Sequence, residues 1–253
     1  MNIQPVHGHP ALRVDDVIVI ADLHIGVESH LGSKGFHLPS RTSIMRDDIL
    51  SIAGDATRLV VLGDVKDSVP GSTKQEYREI PDFFQAMIER FNVVDVVIGN
   101  HDTQIEDFLP RHVNIHPASG LRIGDVGMVH GHTWPSADVM ASKTLITAHN
   151  HPTVMFRDGV GKRTTEPCWF RVPFNDSASN YIERPGEMII VPAFNRLLGG
   201  SPVNVVGEGF LGPLMNSGMI STDEAQIFLL DGICLGKRKD VLVKGKDRSV
   251  CKE

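Results

Sequence analysis

Cysteine is nearly absent. Cys168, Cys234 and Cys251 are the only three in 253 residues, odd in number, widely spaced and without a Cys-x-x-Cys pair. That set excludes a disulfide framework and a zinc ribbon, and it leads us to expect a reducing, cytoplasmic setting. Long hydrophobic runs are also missing. Nothing approaches the roughly 18 apolar residues that span a bilayer, and residues 1–10 lack the basic-then-apolar pattern of a signal peptide, so no membrane partner is expected.

Positive charge is in short supply too. Twenty-five Lys and Arg stand against 31 Asp and Glu, for a formal net charge of −6, which is not the profile of a dedicated nucleic-acid-binding domain. Lys237 to Glu253 is the exception, with seven Lys or Arg and three Asp or Glu. We expect a solvated, mobile tail there, with contact to a phosphate backbone as the alternative. No repeat or low-complexity tract occurs. At 41% hydrophobic, 253 residues supply one sizeable core and fall short of two, so a single domain over residues 1–253 is expected.

What the chain does have is an ordered string of side chains able to bind metal: Asp22 and His24, Asp64, Asn100, His130, then His149 and His151. Each follows a short apolar run: Val17 to Ile20, Arg58 to Leu62, Val93 to Ile98, Val126 to Val129 and Leu145 to Ala148. Runs of this kind read as buried strands, and loops leaving one edge of such a sheet are where ligands gather. Carboxylates and a carboxamide suit harder divalent ions, while imidazole suits zinc, iron, manganese or nickel. In a strand, Asp22 and His24 would point to the same side, and so would His149 and His151.

Single histidines are more often surface or satisfied groups than ligands; the order and the strand-end placement argue otherwise for these seven. His132 competes with its neighbour His130 for the ligand role, and we assign it to the loop beside the cleft. His7 and His9 follow no apolar strand and are expected at the surface. Asp102 reads as a turn or cap residue.

The motifs Asp22-Leu23-His24, Gly63-Asp64-Val65-Lys66-Asp67, Gly99-Asn100-His101-Asp102, His130-Gly131 and Ala148-His149-Asn150-His151 resemble those of the calcineurin-like metallophosphoesterases. The likeness spans residues 17 to 152. Its one departure is Ala148, where the family has glycine, and we expect a slightly altered turn with no ligand lost. The resemblance implies one metal held by Asp22, His24 and His151, a second by Asn100, His130 and His149, and Asp64 as the bridge. Two divalent ions would activate a hydroxide nucleophile and clamp the oxygens of an in-line displacement at phosphorus. Manganese is the ion expected first, with iron, zinc and nickel as alternatives. His101, beside a ligand, takes the family's general-acid role, and Asp67 is the carboxylate expected to pair with it as a dyad.

Two segments carry helical period. Thr73 to Phe91 places Tyr77, Ile80, Phe83, Phe84, Met87, Ile88 and Phe91 on one face, and Ser40 to Ala53 offers Ser40 as N-cap and Ile44, Met45 and Ile52 for burial. Beyond the last histidine pair come short strands: Thr153 to Arg157, Cys168 to Val172, Met188 to Val191 and Gln226 to Leu230. The expected fold is an α/β, four-layer α-β-β-α sandwich of two mixed sheets with helices outside. Leu31 to Arg41 could offer backbone amides and a guanidinium to a substrate phosphate. Arg196 to Gly218 could serve as a lid, as a contact in a homodimer, or as an inert connection. The functional expectation is a binuclear-metal phosphoesterase acting on phosphodiesters, DNA first. A phosphatase or nucleotide phosphodiesterase for a small substrate is the alternative, and a catalytically silent metal-binding scaffold the remote one.

Overall fold

The computed structural model describes residues 1–176 and 181–244. Its first sheet takes strands in sequence order: β1 (Ile3–Pro5), β2 (Leu12–Val14), β3 (Val17–Ile20), β4 (Arg58–Leu62), β5 (Val93–Val97) and β6 (Val113–His116). The pairs from β3 to β6 are parallel, while β1 and β2 add an antiparallel edge. Val17 to Ile20 is buried at every position, as a β-branched run must be when both faces of a parallel sheet are covered.

α1 (Val27–Ser33) precedes the two helices that cover one face, α2 (Thr42–Ile52) and α3 (Lys74–Arg90). Alternation along β4 sorts the core, since Leu59 and Val61 pack under the helices while Val60 and Leu62 face the other sheet. α3 begins with a capping box between Thr73 and Glu76 and buries Ile80, Phe83, Phe84 and Met87. Tyr77, expected on that face, is 61% exposed and leans on Phe108 instead. Ser40 lies one position before the cap. Arg41 holds the N-cap position with no side-chain bond of its own, and the Ser40 hydroxyl accepts from the Thr42 N–H at 3.2 Å while donating to Glu79 Oε2 at 2.7 Å.

The second sheet contains β7 (Leu121–Ile123), β8 (Val126–Met128), β9 (Thr144–Thr147), β10 (Pro152–Arg157), β11 (Arg163–Pro173), β12 (Glu187–Ile190), β13 (Ser201–Pro202), β14 (Gln226–Leu229) and β15 (Cys234–Lys237). It is mixed, with parallel pairs β8–β9 and β9–β12 beside antiparallel β10–β11 and β11–β12. Its outer face is covered by the single turn α4 (Ala137–Met140) and by Val203, Leu214, Met215, Met219 and Ile220. The α/β sandwich is therefore four-layered, with longer helices on one side and mostly irregular chain on the other.

Two stretches named above make defined contacts. The Arg196 to Gly218 stretch is anchored, since Asn150 accepts from the Leu211 N–H at 2.8 Å and donates to its carbonyl at 3.2 Å. The basic tail is docked where it is described, because Lys237 and Lys239 both pair with Glu224 and Arg238 donates to the Val203 carbonyl. Residues 245–253 of that tail lie outside the described residues. No described helix is long and apolar enough to cross a membrane.

Candidate metal centre

The loops that carry the candidate ligands leave the carboxyl ends of β3, β4, β5, β8 and β9, which are neighbours within the two parallel regions, so five loops meet at one rim of the sandwich. Backbone strain concentrates there. Seven non-glycine residues among those described have positive φ, and five of them are Asp22, His24, Asp64, His149 and His151. Such left-handed residues persist only where the surrounding structure over-determines them. They also correct the expected reason for convergence: Asp22 and His24 reach one donor group through two left-handed residues and not through strand alternation, while His149 and His151, likewise left-handed, go to different groups. Ala148 keeps negative φ, which accounts for alanine in place of glycine.

Asp22, His24, Asp64 and His151 form one group of convergent donor atoms, and Asp64, His130 and His149 form another. Asn100 joins the second group, with Oδ1 3.2 Å from His130 Nε2. Asp64 belongs to both. Its Oδ2 lies 3.4 Å from His24 Nε2 and 3.4 Å from His130 Nε2, while its Oδ1 is occupied by the His101 N–H at 2.9 Å. His151 Nε2 stands 3.2 Å from Asp22 Oδ1. Separations near 3.4 Å are what two N/O ligands about 2.1 Å from a tetrahedral ion would have.

The loops are held tightly enough to keep this geometry. A Cβ on Gly99 would lie 2.3 Å from both the nitrogen and Oδ1 of Asp64, so only glycine lets the Asn100 loop approach. Asp102 ties the two loops together, accepting from the N–H groups of Val65 at 2.8 Å and Gly99 at 2.8 Å; it is a structural staple, as a turn residue would be. Burial and the nearby Asp64 charge push its carboxyl up. His130 donates from Nδ1 to the Leu62 carbonyl at 2.8 Å, which fixes the tautomer that aims the Nε2 lone pair into the site.

The donor set fits cations. Both Asp22 oxygens and His24 Nε2 are buried without a hydrogen-bond partner, a costly state for charged groups unless something else is bound. Burial opposes charge on His24, yet the facing carboxylates of Asp64 and Asp67, with the charge of Asp22, overcome it and raise the imidazole to about 10. The same contest raises His130 to about 9, with Asp64 the main partner. Those two imidazoles hold the Asp64 carboxyl well below its ordinary range despite burial. His149 goes the other way, lowered to about 4 by burial and by the neighbouring His130.

The expected His101–Asp67 dyad takes another form. His101 Nδ1 donates to the main-chain carbonyl of Asp67 at 2.6 Å, leaving Nε2 as the free ring nitrogen. The Asp67 carboxylate instead faces His24 Nδ1 at 3.2 Å and His30 Nδ1 at 3.4 Å, because Glu76 accepts from the Asp67 and Ser68 N–H groups and turns the loop that way. Asp67 thus orients His24, as a carboxylate behind a metal-binding imidazole does. His30 went unnoticed in the sequence, since α1 carries no apolar stripe to mark it as a helix. His132 lies beside His130 and His149, with ring centroids 5.3 and 6.1 Å away, but joins none of the convergent donor groups among the described residues, the third of which brings together His24, Asp67 and His101.

No family model matches the sequence, and no curated protein sequence matches it. Solved structures do. The nuclease MPE of Pseudomonas putida superposes with a TM-score of 0.56 at 17% identity, over 91% of this chain and 98% of that one. This chain has the calcineurin-like metallophosphoesterase fold. The phosphoesterase YfcE from E. coli matches at a TM-score of 0.39 and 14% identity over 87% of this chain and 97% of that one. A metallophosphoesterase from Sphaerobacter thermophilus matches at 0.35 and 14% over 87% of each. Within a metallophosphoesterase fold, the two donor groups sharing Asp64 occupy the loop rim described above.

Proposed function

We propose that the chain is a phosphoesterase using two divalent cations to hydrolyse phosphodiesters, with DNA the leading substrate class and manganese the leading ion. One observation carries this reading: a single carboxylate oxygen, Asp64 Oδ2, equidistant from imidazoles of two separate donor groups. That arrangement suits a bridge between two ions. Asp22, His24 and His151 would hold one ion, and Asn100, His130 and His149 the other.

Bound divalent ions supply Lewis acidity, lowering the pKa of water and neutralising charge on phosphoryl oxygens. The protein's own part is positioning. Leu62 and Asp67 fix the tautomers of His130 and His24, and the Asp67 carbonyl holds the Nδ1–H of His101, so that the ring in its imidazolium form would hand the Nε2 proton to the departing ester oxygen and keep the Nδ1 proton. Asp67 acts through these contacts as a positioning residue. The likeness to a nuclease supports a nucleic acid, DNA first, while Glu224 and Asp223 pair with Lys237, Lys239 and Arg238 and offset most of their charge. That observation favours a second reading, a nucleotide or other small phosphoester as substrate.

The test is His101→Ala. With metal content unchanged, turnover of bis-p-nitrophenyl phosphate should fall by roughly two to four decades. Loss of metal from that variant, or undiminished turnover, would remove His101 from the proposed role.

A further inference from the structure

α1 is placed by polar contacts and not by an apolar stripe, the usual device. Its one buried side chain is Glu28, which accepts from the Arg41 N–H at 2.8 Å and from Gln75 Nε2 at 3.0 Å, while the Ser29 hydroxyl donates to Gln75 Oε1 at 2.7 Å. The turn into the helix is equally fixed. Gly26 has φ 105°, and a Cβ there would lie 2.7 Å from Glu76 Cγ. Glu76 is also the residue that grips the Asp67 loop. The side chain that this scaffolding carries to Asp67 is His30.

His30 Nδ1 faces Asp67 Oδ2 at 3.4 Å, with the His30 side chain 51% exposed and that of Asp67 9%. This Asp67 oxygen is buried and takes no hydrogen bond, so the imidazole is the group set against its charge. His30 Nε2, on the opposite edge of the ring, is turned outward. Its place relative to the donor groups follows from His24, which presents Nε2 to Asp64 and Nδ1 to Asp67 Oδ1. Asp67, and His30 beyond it, therefore stand behind that imidazole, set back from the metal centre. On the same side is His101, whose Nδ1 bonds the Asp67 carbonyl.

We propose that His30 binds a phosphate of the substrate other than the one being cleaved, so that the substrate is a strand with phosphates in series. The inference rests on the phosphoesterase reading of the metal centre and chooses within it. A strand laid along the rim past His101 brings its next phosphate to His30 Nε2, whereas a small ester has none to bring. In that complex the ring carries both protons, with Nδ1–H toward the Asp67 carboxylate and Nε2–H donated to a phosphate oxygen.

The test compares the thymidine dinucleotide TpT, which has a single phosphodiester, with TpTpT, which has a second in series, on the manganese-loaded full chain. The wild type should show kcat/KM per bond about tenfold higher for TpTpT, as a hydrogen bond to a charged oxygen supplies, and His30→Ala should bring the ratio near unity. His30→Gln, which keeps an N–H donor, should restore most of the preference. His30→Phe, which keeps the bulk of the ring without a donor, should not. Both substrates share the scissile group, so a general loss of activity leaves the ratio unmoved. Cleavage of both with a ratio near unity in the wild type, or with a ratio that His30→Ala leaves unchanged, would overturn this inference alone. Cleavage of neither by the wild type with both ions bound would overturn the phosphoesterase reading and this inference with it.

Discussion

Replacing Asp64 by alanine should cost the protein both metal ions at once. Its Oδ2 lies 3.4 Å from imidazoles of both donor groups, so its removal opens both sets. The consequence can be read as stability. An ion present at 100 times its dissociation constant stabilises the folded state by about 2.7 kcal/mol, and two such sites by about 5 kcal/mol. For a domain of about 250 residues that corresponds to a rise in Tm of about 10–20 °C. Thermal unfolding of chelated and manganese-reconstituted protein would show the wild-type shift and its near absence in Asp64→Ala. His149→Ala, which alters one donor group only, should keep about half of it. An Asp64→Ala protein that keeps more than half of the wild-type shift would refute the shared-oxygen argument.

Gly99→Val should also impair metal binding, because a Cβ there collides with Asp64; metal analysis of the folded variant checks this, and wild-type occupancy would contradict it. Asp95 gives a test remote from the metal centre. It is buried, bonded to Arg58 at 2.7 Å and His116 at 2.7 Å, and Asp95→Ala should cost about 3 kcal/mol in urea denaturation. Burial opposes its charge, but His116 and Arg58 hold the carboxyl below its ordinary value. The stability it contributes is therefore complete above the unfolded-state pKa of about 3.9 and lost as pH falls through the lower folded value. The variant should lose this acid-limb dependence, and an unchanged acid limb would show that Asp95 is not its source.

Strands β3 and β4 were legible to the residue because Val17 to Ile20 and Arg58 to Leu62 are compact apolar runs, buried almost throughout. α3 was legible through its apolar face and the capping pair of Thr73 and Glu76. The ligand string was readable because each member ends such a run. α1 was not, since its one buried side chain is Glu28, which is held by Arg41 N–H and Gln75. Partner choice was hidden as well. Asp67 could be placed near His101 from its motif, but whether carboxylate or carbonyl meets the ring depends on Glu76 gripping the loop from α3. The left-handed backbone at five of the proposed ligands likewise reflects long-range closure of loops, to which local periodicity is blind.

The most direct test of the central claim is turnover of bis-p-nitrophenyl phosphate by one preparation, chelated and then reconstituted with manganese, with bound metal counted in both states. The account predicts no hydrolysis without metal, and hydrolysis that returns as the bound count approaches two ions per chain. Two bound ions with no cleavage of this diester or of p-nitrophenyl phosphate would contradict it and leave a metal-binding scaffold in place of an enzyme.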